Sequence, residues 1–403
     1  MSTYTDGSFG LLTRTVSEIR LRVTRFDPTF LRFWGASMNN GANRNVRTRG
    51  FAIPAGLCLF VFCVALGVQA QTAPRYRVDP EWPKPLPNRW RMGGVTGLVV
   101  DVDDDVWVLS HPSNAPGVEK APAMIHLDKQ GNVINSFDAR PGHGIAVDNG
   151  YVDAEFVYAG SDTIRRYDAK DGKMLTEMAR VPEALPQAAA MAAFRAKYPP
   201  ATPRIVGDIE EIRLDPSVRE LYCTDNYVGG RVMVFSMDTF QFKRGWGAYG
   251  KPLSQISTND ADHAYAQNGP MPKEFTGHLS LNLSSDGLVY IADRIAKRIQ
   301  VTDKQGKFVK EFNMAPSMGV GGSIGGIAFS ADRQQRYVYI ADSANNTVWA
   351  LNREDGRVLG RLGGAGDGGQ FQGLHMIAVD SKGNMYTGEV QTGERVKRFV
   401  PVN

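Results

Sequence analysis

Most of the chain consists of short runs in which apolar and polar residues alternate. The segment 289–307, VYIADRIAKRIQVTDKQGK, is representative, because polar turns separate its alternating runs. Alternation with a period of two puts one face of a strand in the core and the other in solvent. Turns that contain glycine or aspartate join such strands into antiparallel hairpins. The pattern therefore predicts an all-β protein built from consecutive hairpins.

The hairpins recur as a repeated unit of three or four strands. The first strands of six copies read TGLVVD (96–101), HGIAVD (143–148), EEIRLD (210–215), HLSLNL (278–283), GGIAFS (325–330) and HMIAVD (375–380). Four-stranded propeller blades occupy about 40 to 50 residues, and six of them close into a ring with few exposed sheet edges. We predict a six-bladed β-propeller of the NHL-repeat type. The segment 76–79 is expected to supply the outer strand of the last blade.

Two long insertions interrupt the repeat, at 175–205 and 247–276. The first contains PEALPQAAAMAAFRAKY, which predicts one short helix that starts after Pro182 and ends before Pro199. Each insertion joins the outer strand of one blade to the inner strand of the next, so both should lie on the face where the inner strands begin. Because long loops in compact domains are usually lids or binding loops, we expect them to cover a site there.

Three of the six histidines occupy the same position of the repeat. The innermost strands of a propeller line its central channel, so the first residues of the six units form a ring. That ring is Thr96, His143, Glu210, His278, Gly325 and His375. The histidines fall on every second blade, about 120° apart, and all point inward from one end of the channel. This arrangement predicts a metal site with three histidine ligands.

The residue types restrict the metal without identifying it. Three imidazoles and a water form a known catalytic zinc site. Imidazole also binds copper, iron and nickel, so zinc is predicted only because it is the commonest choice. Glu210 belongs to the same ring, where it could orient a ligand, act as a base or only form hydrogen bonds.

The first 70 residues differ from the rest in charge and hydropathy. They contain eight arginines and three acidic residues, and an apolar run extends from Phe51 to Val68. The small residues around Ala70 suit signal-peptide cleavage, so residues 1–70 are predicted to be a leader and signal peptide, with Met38 as an alternative start. An apolar run of about 18 residues is also close to the minimum for a membrane span, which leaves an uncleaved anchor as the alternative.

The leader accounts for the basic character of the chain. Without it, 38 basic residues face 39 acidic ones, and clustered lysines and arginines typical of nucleic-acid binding are lacking. Only Cys223 of the three cysteines lies outside the leader, which excludes a disulfide within the remaining chain. We expect a secreted or periplasmic monomer, membrane-anchored only if the leader stays attached, that binds a small-molecule or peptide-like substrate and no nucleic acid.

Several short segments resemble those of the peptidyl-α-hydroxyglycine α-amidating lyases, which are six-bladed propellers with zinc bound by three histidines. The matching segments are GHGI (142–145), GHLSL (277–281) and LHMIA (374–378) around the histidines, TDNYVGGR (224–231) and IADRIAKRIQ (291–300). The resemblance implies that His143, His278 and His375 bind the metal and that Tyr227 and Arg294 are active-site residues. It implies a lyase that cleaves a C–N bond, with Tyr227 as the base at a lowered pKa and Arg294 holding a substrate carboxylate.

The chain also departs from this family. A second active-site arginine of the family would fall near His111, and the aspartate that helps to bind a structural calcium is replaced by Met376. We therefore do not carry calcium over as a cofactor. His111 could be a fourth ligand or a proton shuttle.

Two other classes of function fit the same propeller. One is a non-enzymatic NHL propeller that binds a protein, peptide or glycan, with structural histidines. The other is a metal-dependent hydrolase of the lactonase or esterase kind.

Four aspartates recur at blade turns and are interpreted as structural: Asp162, Asp225, Asp293 and Asp342. Cys223 is interpreted as a buried strand residue, and His126 and His263 receive no functional role.

Overall fold

The computed structural model describes residues 72–113, 115–148, 155–228, 230–364, 370–390 and 393–402. The predicted leader at 1–70 lies outside these ranges, so its export and cleavage stay predictions. Within the described ranges, every helix is too short or too polar to cross a lipid bilayer.

Strands dominate the described chain, as the alternating pattern predicts. In chain order they are β1 (Arg75–Val78), β2 (Trp90–Arg91), β3 (Val95–Val100), β4 (Val106–Ser110), β5 (Glu119–Lys120), β6 (Met124–Leu127), β7 (Val133–Phe137), β8 (Gly144–Asp148), β9 (Phe156–Gly160), β10 (Ile164–Asp168), β11 (Met174–Glu177), β12 (Asp208–Asp215), β13 (Glu220–Asn226), β14 (Arg231–Ser236), β15 (Phe242–Trp246), β16 (Leu279–Leu283), β17 (Leu288–Asp293), β18 (Arg298–Asp303), β19 (Phe308–Asn313), β20 (Ile324–Phe329), β21 (Tyr337–Asp342), β22 (Thr347–Asn352), β23 (Val358–Gly363), β24 (Leu374–Val379), β25 (Met385–Glu389) and β26 (Arg395–Val402). The α-helices are α1 (Met191–Lys197), α2 (Asp260–His263) and α3 (Ala315–Met318).

All of these strands except β2 and β5, which pair in parallel with each other, form six four-stranded antiparallel sheets, the blades of a β-propeller. Blade 1 is β3-β4-β6-β7, blades 2 to 5 are β8–β11, β12–β15, β16–β19 and β20–β23, and blade 6 is β24-β25-β26 with β1. The innermost strands β3, β8, β12, β16, β20 and β24 contact one another in sequence and back to β3. The six-bladed propeller predicted from the repeat is confirmed.

The ring closes through β1, which pairs antiparallel with β26 so that Tyr76 faces Pro401 and Val78 faces Phe399. An outer strand from the start of the described chain therefore completes the blade formed by its end. The predicted closing segment 76–79 overlaps this strand, with a shift of one residue.

Each blade buries one large aromatic side chain at an equivalent place on its second strand. These are Trp107, Tyr158, Tyr222, Tyr290, Tyr339 and Tyr386, all at most 2% exposed. They pack among apolar residues of adjacent blades, for example Tyr290 with Ile327 and Ile340. Burying an aromatic side chain contributes roughly 1.5–3 kcal/mol of transfer free energy. These six side chains therefore contribute much of the stability of the packing between blades. Blade 1 differs from the others because it uses tryptophan.

The predicted helix of the first insertion is shorter than its sequence pattern suggests. It spans Met191–Lys197 after a 3₁₀ turn at Ala188–Ala190. Pro186 explains the late start, because proline lacks an amide hydrogen and disfavours helical geometry in the preceding residue. The end before Pro199 agrees with the prediction. Phe194 anchors the helix by packing against Val181 and Val206.

Buried arginine–aspartate pairs fasten both insertions to the blades. In blade 3, Arg231 pairs with Asp225 at 2.7 Å and donates to the carbonyl oxygens of Thr202 and Arg204 at 2.8 and 2.7 Å. In blade 4, Arg298 pairs with Asp293 and donates to carbonyl oxygens of the second insertion. The structural interpretation of Asp225 and Asp293 is thus confirmed. Each ion pair holds the end of one insertion shortly before the inner strand that follows it.

Candidate functional site

The six ring positions lie where the inner strands begin. In blades 2 and 4, His143 and His278 immediately precede the first paired residues, Gly144 and Leu279. In the other four blades the pairing of the inner strand shifts register across the ring position, at Thr96, Glu210, Gly325 and His375. Such β-bulges re-aim side chains and are common beside active sites. The bulges turn these residues away from the regular pleat of the sheet.

His143 and His375 meet in the channel. Their ring centroids are 5.5 Å apart and nearly perpendicular, and His111 lies 6.2 Å from His143 by the same measure. Burial lowers the pKa of His143, and burial together with the charge of Arg294 lowers the pKa of His375 to about 3. Both imidazoles are therefore neutral at neutral pH. The Nδ1 atoms of His143 and His375 are buried without hydrogen-bond partners.

Glu210 contacts the third ring histidine and both predicted catalytic residues. Its Oε1 atom lies 3.3 Å from His278 Nδ1, accepts a hydrogen bond of 3.1 Å from the Tyr227 hydroxyl and lies 3.8 Å from Arg294 Nη1. Burial alone would raise the pKa of Glu210, but the His278 hydrogen bond and the positive charge of Arg294 lower it to about 2. Glu210 is thus a carboxylate that joins a predicted metal ligand to both predicted catalytic residues.

Tyr227 is held in an unusual backbone conformation. Its φ is +66°, in the left-handed region, and its amide donates to the Gly277 carbonyl at 2.8 Å. Strained residues of this kind cluster at functional sites. Burial and the neighbouring Glu210 carboxylate raise the pKa of Tyr227. The prediction of a lowered Tyr227 pKa is therefore wrong: the side chain is partly buried and its hydroxyl donates to the Glu210 carboxylate, and both effects favour the protonated phenol.

Arg294 stands beside His278, to whose carbonyl oxygen its amide donates at 3.0 Å. Its Nε atom is buried without a hydrogen-bond partner, and its contact with Glu210 at 3.8 Å is too long for a hydrogen bond. The guanidinium therefore has donors free to hold an anionic ligand. That Arg294 binds a substrate carboxylate stays a prediction.

The imidazoles of this ring are suitable donors for a metal ion, although their nitrogen atoms do not all lie within 4.8 Å of one another. Neutral imidazoles with unsatisfied buried nitrogens have the chemistry of zinc ligands. Among the described residues, however, the one group whose metal-ligating atoms all lie within 4.8 Å of one another is Asp101, Asp105 and His126. The structure brings His143, His278 and His375 to one end of the channel without placing their nitrogens that close.

The two insertions meet above blades 3 and 4. Arg195 of α1 forms an ion pair with Asp260 of α2. The two ring nitrogens of His263 contact the carbonyl oxygens of Phe275 and Ser257, at 2.6 and 2.8 Å. His263 thereby links two parts of the second insertion. The insertions thus form one unit, and His263 has a structural place in it.

The sequence places Glu210 in the ring with three possible roles, but the spacing of residues cannot show its contacts with His278 and Tyr227. Cys223 is fully buried in β13, as interpreted.

Comparison with known proteins adds the fold alone. No protein-family profile matches the chain, and no curated protein matches it. Among solved structures the chain is similar to a structural-genomics protein of unknown function from Bacteroides thetaiotaomicron, with 13% sequence identity and a TM-score of 0.52 over 82% of this chain and 77% of the other. Similarity at this level of identity shows a shared fold and does not extend to activity.

Proposed function

We propose that this chain is an exported, metal-dependent lyase of the NHL-propeller type that cleaves a C–N bond in a small carboxylate-bearing or peptide-like substrate. The observation that carries the proposal is the meeting of three ring histidines from alternate blades with Glu210, Tyr227 and Arg294 at one end of the channel. The amidating lyases that the sequence resembles combine three zinc-binding histidines with an active-site tyrosine and arginine.

His143, His278 and His375 would hold the metal, for which zinc is the first choice. A bound divalent ion would supply Lewis acidity, which polarises a substrate oxygen and favours loss of its proton. Glu210 would orient His278 through the contact at its Nδ1 atom. Carboxylates that hydrogen-bond a ligating histidine fix its tautomer and ring orientation.

Arg294 would bind the substrate carboxylate. Its unpartnered Nε and its long contact with Glu210 leave two adjacent donors for a bidentate grip. Tyr227, 40% exposed, reaches the same space from the neighbouring blade. A substrate with a carboxylate next to its reacting carbon would then present that carbon to Tyr227.

The reaction of an N-acyl-α-hydroxyglycine needs one proton removed and one returned. The Tyr227 oxygen would accept the substrate hydroxyl proton while its own proton passes to Glu210 Oε1, 3.1 Å away. The hydroxyl oxygen becomes the carbonyl oxygen of glyoxylate, the C–N bond breaks with its electron pair going to nitrogen, and the relay returns a proton to that nitrogen to give the amide. This route starts from a protonated phenol, consistent with the raised pKa of Tyr227.

The proposal is tested on the protein purified without a histidine tag. Elemental analysis after reconstitution should find about one equivalent more transition metal in the unsubstituted protein than in His143→Ala, and an N-acyl-α-hydroxyglycine should release glyoxylate and the matching amide in equal amounts. Less than about a fifth of an equivalent of bound metal would exclude a metal-dependent enzyme and favour the non-enzymatic binding propeller. Bound metal with ester or lactone hydrolysis but no glyoxylate would instead identify a hydrolase.

Replacing Tyr227 by phenylalanine should reduce kcat by about 10²–10⁴-fold, the usual contribution of a positioned acid–base group. KM and bound metal should stay close to those of the unsubstituted protein, because the ring and Arg294 are unchanged. Tyr265→Phe, in the second insertion, is the matched control and should keep full activity. A Tyr227→Phe variant as active as that control would remove Tyr227 from the chemistry.

A further inference from the structure

A compact polar cluster lies in blade 1, at the turn between β3 and β4. Asp101 Oδ1 accepts from the amides of Asp103 and Asp105 at 2.9 and 3.0 Å, and its Oδ2 accepts from Trp107 Nε1 at 3.0 Å. His126 of β6 lies directly opposite Trp107 in the sheet and stacks on its ring, with centroids 3.7 Å apart and planes 18° apart. The turn and the strand pair thus fix two carboxylates and one imidazole side by side.

The imidazole points into the carboxylates without forming a hydrogen bond. His126 Nε2 lies 3.7 Å from Asp101 Oδ2 and 3.8 Å from Asp105 Oδ2, distances beyond hydrogen-bond range. His126 is only 9% exposed, and its Nε2 atom is buried with no hydrogen-bond partner. A buried polar nitrogen in this state is destabilising by about 1–3 kcal/mol unless something binds it.

The two carboxylates of the cluster are not paired directly with a cationic side chain. In the described part of the chain, Asp101 and Asp105 form no ion pair with arginine or lysine within 4.0 Å, and the Lys129 ammonium is bonded to the Asp103 carbonyl oxygen at 3.3 Å. Burial raises the pKa of both Asp101 and Asp105. Burial also lowers the pKa of His126 to about 4, so at neutral pH the imidazole supplies no positive charge.

We propose that Asp101, Asp105 and His126 form a second divalent-metal site, suited to zinc or another first-row transition ion. Ligands about 2.0–2.2 Å from a tetrahedral ion are roughly 3.3–3.6 Å apart. The separations of 3.7 and 3.8 Å between His126 Nε2 and the two carboxylates are only slightly longer, and all three ligand atoms lie within 4.8 Å of one another. Two carboxylates and one imidazole suit borderline divalent ions better than calcium, which prefers six or more oxygen atoms.

This site is distinct from the channel ring and has a structural role. Thr96 and Asp101 mark opposite ends of β3, about 16 Å apart at 3.3 Å per residue. The neighbouring Asp104 accepts from the Ser381 amide and hydroxyl of blade 6 at 2.8 and 2.7 Å. A metal that fixes the 101–105 turn would therefore also stabilise the junction between blades 1 and 6.

The test separates the two sites by removing the ring ligands first. The full-length variant His143→Ala/His278→Ala/His375→Ala is titrated with zinc by calorimetry and should still bind about one equivalent. Adding His126→Gln, whose amide can still stack on Trp107, should abolish that binding, and Asp105→Asn should do the same. Asp103→Asn is the matched control: it removes an exposed charge from the same turn and should retain the metal.

Trp107 provides a readout within the site. The variant without the three ring histidines is called the ring-free variant. In it, cobalt(II) bound to His126 should quench Trp107 fluorescence, whereas adding Trp107→Phe should remove the quenching and leave the metal bound. The proposal is overturned if the ring-free variant, folded by circular dichroism, binds less than about a fifth of an equivalent of zinc. It is equally overturned if His126→Gln and Asp105→Asn both leave binding unchanged. If only the proposed channel function fails, the unsubstituted protein still binds one equivalent that His126→Gln removes.

Discussion

Replacing His375 by alanine is expected to abolish metal binding in the channel and to lower lyase turnover by about 10³-fold or more. The loss follows from removing a Lewis acid that contributes several kcal/mol to the barrier, where each 1.36 kcal/mol is a factor of ten. His375 is the strongest single test because its burial keeps the imidazole neutral, with a pKa of about 3, and because its Nδ1 atom is buried without a partner.

The measurement pairs metal content with glyoxylate release for each ring position. His143→Ala and His278→Ala should give the same result as His375→Ala, since a three-ligand site fails when any ligand is lost. Thr96→Val is the matched control, because Thr96 occupies the same ring position on another blade and its hydroxyl donates to the Gly142 carbonyl oxygen. Three alanine variants that bind as many equivalents of metal as the unsubstituted protein would show that the ring histidines are structural. Loss of metal in the Thr96→Val variant would show that ring geometry, not ligand identity, controls binding.

The propeller could be predicted from sequence because its determinants are local and repeated. The alternating strands and their turns define each hairpin, and six copies define the ring, so even the closing strand at Arg75–Val78 was placed to within a residue. The same repetition located the ring histidines, because equivalent residues of equivalent blades must surround one axis. No long-range contact had to be known in advance.

The connections within the site could not be predicted because they depend on bulges and on contacts between blades. Glu210 points at Tyr227 and His278 only because the β12–β13 pairing shifts register between Ile209 and Ile212. The direction of the Tyr227 pKa shift depends on that same contact. A repeat alignment assigns both residues to the channel but cannot show that an anion lies 3.1 Å from the phenol.

The cluster around His126 was missed for a related reason. His126 reads as an ordinary strand residue, and Asp101 and Asp105 read as turn residues. Only the register that places Trp107 opposite His126 brings the imidazole to the turn. Two features of the sequence set blade 1 apart. The segment 101–105, DVDDD, contains four aspartates, and Trp107 stands where the other blades have tyrosine.

Replacing Arg298 by methionine should destabilise the protein by about 3–5 kcal/mol, the usual result of removing one partner of a buried ion pair. The Arg298 side chain is fully buried, and its Nε atom donates to Asp293 at 3.0 Å. Its Nη atoms donate to the carbonyl oxygens of Pro272 and Glu274 at 2.9 and 2.6 Å. The substitution would leave the buried Asp293 carboxylate without its cationic partner, with its hydrogen bonds from Thr276, and would remove a donor from each of the two carbonyl groups. Urea denaturation measures the change in the free energy of unfolding.

The pH dependence of that loss identifies its cause. Burial already raises the pKa of Asp293, and Arg298 partly offsets this effect. Without Arg298 the folded-state pKa rises further above the unfolded value. The variant should then lose stability as pH rises through that pKa and regain it at lower pH, where Asp293 is protonated. Adding Asp293→Asn should recover part of the loss and remove most of the pH dependence.

An exposed pair provides the control and a link to function. Arg357→Met breaks a contact between two side chains that are each more than half exposed, so it should change stability by at most about 0.5 kcal/mol. Because Arg298 holds the second insertion, its loss should also raise KM while leaving the channel metal bound. An Arg298→Met variant as stable as Arg357→Met would show that the insertion is fastened by other contacts. Lost stability with an unchanged KM would show that the insertion does not contribute to substrate binding.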